Sequence, residues 1–285
     1  MASPLYTMRA LANPGPGYVT WQYGYPDYAG TYAPSPILAG TAVIVSGPVP
    51  LESLGKLDTT HAPAGLWLFE NNLNDSSGNG FNLTGAPNYT TVARDNQLGA
   101  LYAATPWTRP SRDAALAIIG ALTVEAVVTI STAAAGGSIC SVSNGGETEA
   151  DNTAFWCIAS FPTGEMAMFW ESGVGVNRVV TSPGGVLPVG TPCHLAYTRS
   201  ADAVAVVNFY VNGINVGSGS AIAATGATAA NLILRVASDG GGTNQLGRGS
   251  ILTSLKIIAA ELTPAQIVAE YNRVLGGRGI VYPRL

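Results

Sequence analysis

Charge is the scarcest property of this chain. Only 11% of its 285 residues are Asp, Glu, Lys or Arg, against about a quarter in ordinary soluble domains. The 13 basic side chains are scattered rather than gathered into a stripe, so no electrostatic footprint for nucleic acid exists. The three cysteines, Cys140, Cys157 and Cys193, are too few for a disulfide framework. Cys140 and Cys157 flank an expected hairpin symmetrically, and all three are read as buried thiols. Two histidines, His61 and His194, and no Cys-x-x-Cys leave zinc without a ligand set. No Gly-x-Ser-x-Gly elbow occurs. Long apolar runs are missing too: residues 114–124 form the longest, ended by Glu125, too short to span a bilayer. The opening MASPLYTMR does not resemble a secretory signal. The expectation is a chain made in the cytoplasm, without membrane insertion.

What is present is apolar and turn-rich: 47% hydrophobic residues, 35 glycines and 18 prolines. That mixture predicts an all-β domain with a Ser/Thr/Asn/Gly surface. Since charge keeps free proteins apart, so uncharged a surface suits a subunit packed in an assembly.

Residues 1–61 differ from the remainder. Up to Leu51 only Arg9 and Asp27 are charged, and 17–36 reads GYVTWQYGYPDYAGTYAPSP, without the periodicity of a core-forming element. This is an extended arm. Its Tyr18, Trp21, Tyr23, Tyr25, Tyr28 and Tyr32 are residue types enriched at interfaces, and they are read as an assembly contact in preference to packing on the chain's own domain. Residues 37–46 suggest one strand.

From residue 62 to 275, short β-branched and aromatic runs alternate with Gly, Asn, Asp and Ser clusters. They predict strands over 66–69, 122–130, 138–143, 154–161, 165–171, 177–181, 194–199, 204–211, 232–237 and 250–258. Alternation in 204–211 predicts a strand covered on both faces, followed by an Asn212-Gly213 turn. Many strands with no helix between them make a sandwich or barrel. A single helix follows over 262–275, with Thr263 as N-cap, Pro264 at N1 and Gln266 at N3. Residues 276–285 form a second short arm.

The order of these pieces resembles the laminin G-like, concanavalin A-type jelly roll. The residues that carry the resemblance are GLWLF (65–69) with LNDSSGNG (73–80), LTVEAV (122–127), HLAYT (194–198) leading to FYVNG (209–213), the closing strand 249–258 and LTPAQI (262–267). The resemblance implies two antiparallel sheets and one C-terminal helix. In two places the chain departs from the family: Cys193 stands where a tryptophan is usual, and strand 251–256 lacks the usual acidic pair.

Three groups of residues could carry chemistry. Glu147, Glu149 and Asp151 alternate as glucanase carboxylates do, but their Gly- and Asn-rich flanks read as a solvated loop tip. Asp75 and Asn79 offer oxygens for a structural calcium, with Asp239 a further acid, though the same residues are ordinary turn formers. Trp107, Trp156 and Trp170 offer faces for carbohydrate, while Trp67, Phe69, Phe209 and Tyr210 belong to the core. The resulting expectation is a non-enzymatic bacteriophage virion protein, of the tail, tail tip or capsid surface, homo-oligomeric and contacting other virion subunits or a host glycan. A carbohydrate-binding adhesin and a β-glucan hydrolase are the alternatives.

Overall fold

The computed structural model describes residues 9–10, 21–22, 61–91, 98–102, 105–109, 114–131, 137–143, 153–161, 164–172, 176–223, 232–239 and 245–275. The chain divides into two compact units, Met1–Val49 and Pro50–Leu285. In the first, β1 (Arg9–Ala10) pairs antiparallel with β2 (Trp21–Gln22). The predicted strand over 37–46 and the C-terminal arm lie outside the described residues.

The second unit is a sandwich. One sheet runs, edge to edge, β14 (Ile214–Ile222), β13 (Val204–Val211), β12 (Cys193–Arg199), β7 (Leu122–Thr129), β16 (Ile251–Ile258), β5 (Leu98–Leu101) and β4 (Asn88–Thr91), with β3 (Gly65–Trp67) also paired to β16. The other runs β11 (Asn177–Thr181), β10 (Glu165–Glu171), β9 (Thr153–Phe161), β8 (Gly137–Ser143), β15 (Ile233–Val236) and β6 (Trp107–Thr108). Neighbours within both sheets are antiparallel.

Period-two alternation explains the layering. In β7, Leu122, Val124, Ala126 and Val128 enter the main core, while Thr123 and Glu125 take the opposite face. Leu195, Tyr197, Phe155, Cys157, Met166, Met168 and Trp170 fill the same interior. Cys140 and Cys157 stand opposite each other on β8 and β9, and both are free, buried thiols. Burial, and then the adjacent Cys140, push the Cys157 thiol well above its usual pKa, which leaves it unreactive. The Tyr197 hydroxyl donates to Ile158 O across the sandwich at 2.9 Å.

A second, smaller core of Ala196, Tyr210, Ile258, Leu262 and Ile267 lies beneath α1 (Pro264–Val274) on the outer face of the eight-stranded sheet. The helix begins as its sequence predicts. Thr263 Oγ1 accepts from Gln266 N, and Gln266 Oε1 accepts from Thr263 N. Thr123 Oγ1 donates to Ala260 O at 2.7 Å and accepts from Leu262 N at 2.9 Å, which holds the segment entering the helix against β7.

The structure departs from the sequence reading in β4, β5 and β6, none of which is among the predicted strands, and in two further strands that bear on the site. Strand β13 is not covered on both faces: Val204 is 56% and Val206 39% exposed, because α1 reaches only its far end, at Tyr210. Strand β14, INVGSGSAI, is not among the predicted strands yet forms the sheet edge, folded back by Asn212 and Gly213 at φ 52° and 78°. Its glycines are needed where β14 meets the 180–183 segment. A Cβ on Gly217 would fall 2.6 Å from Pro183 Cδ, and one on Gly219 2.6 Å from Val180 Cγ1.

Candidate functional site

Beside the start of α1, the open half of β13 leads into a cleft of about 350 Å³ lined by Asn208, Tyr210, Asn215, Glu261, Leu262, Thr263 and Pro264. Alternation puts Asn208 and Tyr210 on the outer face of β13. A register shift between Phe209 and Tyr210 sets Asn215 of β14 opposite Tyr210, and bulges of this kind re-aim side chains. Asn215 Nδ2 lies 3.5 Å from Asn208 Oδ1, and Asn208 Nδ2 3.4 Å from Thr198 Oγ1. Asn215 Oδ1 accepts from Gly217 N at 3.0 Å. Burial, and the charge of Glu261, hold the Tyr210 phenol above its ordinary pKa despite hydrogen bonds to Asn215 and Thr198. Partial burial, and then Asp202, raise the Glu261 carboxyl. Two amides, a phenol, a hydroxyl and a carboxylate thus converge beside the apolar surfaces of Leu262 and Pro264. The arrangement can exchange several hydrogen bonds with a polyhydroxylated ligand. Sequence reasoning placed Tyr210 in the core, where it lies at 2% exposure with only its edge toward the cleft. It did not single out the other lining residues as a site, because they come from separate segments.

Beneath the helix sits a buried ionic network. Cross-strand neighbours Glu125 and Lys256 bring Oε2 and Nζ within 2.8 Å, and Lys256 Nζ lies 2.6 Å from Glu270 Oε2. Arg273 also engages Glu270. On the other side, His194 Nε2 is 3.3 Å from Glu125 Oε1. Burial drives the Glu125 carboxyl upward in pKa, but Lys256 and then His194 outweigh it and hold the group at about 2. The network fastens α1 to the sheet.

The predicted aromatic faces are placed differently from expectation. Trp107 is no loop residue. It lies in β6, 2% exposed, tilted on Phe69 at 5.3 Å and edge-on to Tyr102 at 6.4 Å. Trp170 is fully buried, donates Nε1–H to Ile222 O at 2.9 Å and lies under the Arg199 guanidinium at 5.6 Å. Neither offers a face to a ligand, because both point into the sandwich interior. Trp156 stacks on Phe169 at 4.7 Å on the outer face of the six-stranded sheet. It is 6% exposed and donates Nε1–H to Ser138 Oγ at 2.6 Å.

The loop after β3 uses Asp75 differently from a calcium ligand. Its Oδ1 accepts from Leu66 N and Ser77 N, and its Oδ2 from Ser77 Oγ and Phe81 N, at 2.7–3.0 Å. Asn79 Nδ2 points at the Pro63 and Ala64 carbonyls. A carboxylate ringed by four donors closes a turn and has no oxygen lone pair aimed at a shared cation. The charge of Asp239 acts on Tyr102 and Arg235. Among the described residues no cluster of three His, Cys, Asp or Glu side chains is arranged to hold a metal. Asp75→Ala is therefore expected to cost about 2–3 kcal/mol in urea unfolding, the scale of hydrogen bonds to a charged group. EDTA should leave the melting temperature of the native chain unchanged. A calcium-dependent rise that vanishes in the Asp75 variant would restore the metal reading.

Glu147, Glu149 and Asp151 lie outside the described residues. So do Tyr18, Tyr23, Tyr25, Tyr28 and Tyr32, while the backbone of Trp21 pairs with Ala10 in β2.

Two antiparallel sheets closed over one core, with a helix laid on the outer face of the larger, define a lectin-like jelly roll. Residues 103–268 match the Laminin_G_3 family of the concanavalin A-like lectin/glucanases superfamily, and the chain belongs to that family. Similar solved structures include domain 4 of AbnA, a GH43 extracellular arabinanase from Geobacillus stearothermophilus in complex with arabinotriose. It superposes with TM-score 0.54 at 18% identity, covering 74% of this chain and 98% of the domain. The CBM40 of the Ruminococcus gnavus IT-sialidase, bound to α2,3-sialyllactose, gives 0.50 at 14%, covering 60% and 94%. The binding domain of Paraclostridial Mosquitocidal Protein 1 gives 0.53 at 13%, covering 74% and 52%. At such identities the likeness speaks to fold, and function has to be argued from the site. No curated protein matches the chain by sequence.

Proposed function

We propose that this chain is a non-catalytic glycan-binding protein of a bacteriophage virion, with the jelly roll as its displayed domain and residues 1–61 as its attachment. The observation that carries the glycan reading is the cleft, where amide, phenol, hydroxyl and carboxylate groups surround apolar surface. Such a set matches the hydroxyls and C–H faces of a sugar, and specific pockets combine apolar walls with a few convergent polar groups. The arabinotriose and sialyllactose complexes of similar domains support it. Among the described residues the cleft is lined by one carboxylate, Glu261, whereas a glycosidase works with a pair, and this supports the non-catalytic reading.

The virion half rests on composition. A surface with so little charge, and an arm dense in Tyr, Pro and Gly, suit a homo-oligomer that contacts other virion subunits.

On a glycan array, the full chain is expected to retain a subset of glycans. The Asn208→Ala/Asn215→Ala double variant should lose that retention by about tenfold or more, the scale of one or two hydrogen bonds. Retention of nothing, or retention indifferent to the double variant, removes the cleft as the site. Light scattering tests the other half: oligomers of the full chain should give way to monomers on deletion of residues 1–61. Oligomers that survive the deletion would remove the arm as the attachment.

A further inference from the structure

We infer that the cleft selects uncharged saccharides and rejects sialylated or uronate ligands; this deepens the glycan-binding reading and rests on it. The lining residues carry a single full charge, the Glu261 carboxylate. Asp202, in the turn between β12 and β13, adds a second negative charge close enough to raise the Glu261 pKa. Among the described residues no lysine or arginine lines the cleft. The two cations of the neighbouring network are already committed, Lys256 to Glu125 and Glu270 and Arg273 to Glu270.

One feature of the cleft could still attract an anion: the start of α1, since helix N-termini present free N–H groups and positive potential. Here that end is largely capped. Pro264 has no N–H, Gln266 N is taken by Thr263 Oγ1, Ile267 N by Thr263 O and Thr263 N by Gln266 Oε1, which leaves the neutral Ala265 N–H as the first-turn donor outside the cap. A carboxylate-bearing sugar would meet acidic side chains with only neutral amide donors, and without the guanidinium or ammonium that makes the strong charge-assisted bonds to such groups. A neutral sugar loses nothing by this arrangement. Its hydroxyls can donate to Glu261 and exchange hydrogen bonds with Asn208 and Asn215. Along β13 and β14 the surface beyond Asn208 continues with exposed Val204, Val206 and Ile222, an apolar rather than cationic extension suited to the C–H face of a further sugar unit.

The experiment is a titration of the isotopically labelled full chain at low salt, where unscreened charge acts most strongly. The probes are arabinotriose, cellotriose and chitotriose on one side, and α2,3-sialyllactose and trigalacturonate on the other. The readout is the side-chain amide resonances of Asn208 and Asn215. At least one neutral trisaccharide should shift them and neither acidic one should. Glu261→Lys should strengthen acidic binding relative to neutral by about tenfold, the change expected when one charge is reversed near the ligand. Wild-type amides that respond to sialyllactose or trigalacturonate as strongly as to the neutral sugars overturn the selectivity and leave glycan binding standing. Amides that respond to no glycan overturn the glycan-binding reading itself.

Discussion

Arg199→Ala is expected to destabilise the jelly roll by about 4 kcal/mol in urea unfolding, the sum of a core cavity and orphaned carbonyls. Arg199 is a cation with no exposed surface, and its charge is met by carbonyls rather than by a carboxylate. Nε and Nη2 donate to Gly120 O at 3.2 and 3.1 Å, Nη2 also to Ile118 O at 2.8 Å, and Nη1 to Ala154 O at 3.0 Å. The side chain thus joins β12 of one sheet to β9 of the other and to the loop entering β7. Burial lowers its pKa to about 10, so it remains charged at neutral pH. Arg199→Lys should recover only part of the loss, because an ammonium cannot reproduce the planar fork. The near-ultraviolet dichroism of Trp170, which the guanidinium overlies, should change in both variants. A cost below about 1 kcal/mol for the alanine variant, the level of an ordinary surface change, would show that the carbonyls find other donors and that the tie is dispensable.

Lys256→Met should cost about 3 kcal/mol at neutral pH, the range for a buried pair that loses one partner. It strands Glu125 and Glu270 beneath the helix, where only His194 and Arg273 remain to meet them. The pH dependence identifies the cause. In the native chain Glu125 is held at about 2, so its contribution is complete above the ordinary carboxylate pKa of about 4.5 and fades as pH falls toward 2. Without Lys256, burial is no longer outweighed and the carboxyl moves up. Protonation then relieves the buried charge, and the gap between variant and native chain should narrow between about pH 6 and 3. The check is a series of unfolding midpoints across that range. A gap that stays constant with pH would assign the loss to packing of the lysine stem rather than to charge.

The strands that carry the core were legible in sequence because both of their inputs are local. Apolar alternation in LTVEAVVT and CHLAYTR, bounded by turn residues, requires no knowledge of partners. The helix was legible for the same reason, since Thr263, Pro264 and Gln266 cap themselves. Strand β14 was hidden because Gly217 and Gly219 are there for clearance from Val180 and Pro183, residues more than thirty positions away. The tryptophans misled because an aromatic beside Pro and Thr, as Trp107 is, reads as a loop, whereas pairing with Arg235 and Val236 draws its segment into a sheet. Glu125 left one usable trace, a lone carboxylate in an apolar strand, matched by Lys256 in another.

Composition and periodicity by themselves determined an all-β domain of sandwich or barrel type, the terminal helix and the scarcity of charge, while the laminin G-like order of the pieces came from the resemblance of their motifs. The domain type and the helix follow from side-chain chemistry repeated along a strand or within one helical turn. Tertiary structure alone decided which aromatics are covered, that the Asp75 carboxylate is spent on its own loop, and that Asn208, Tyr210, Asn215 and Glu261 share a cleft. Those outcomes depend on sheet register, on the bulge at Phe209–Tyr210 and on where α1 lands, all set by packing between residues far apart in the chain.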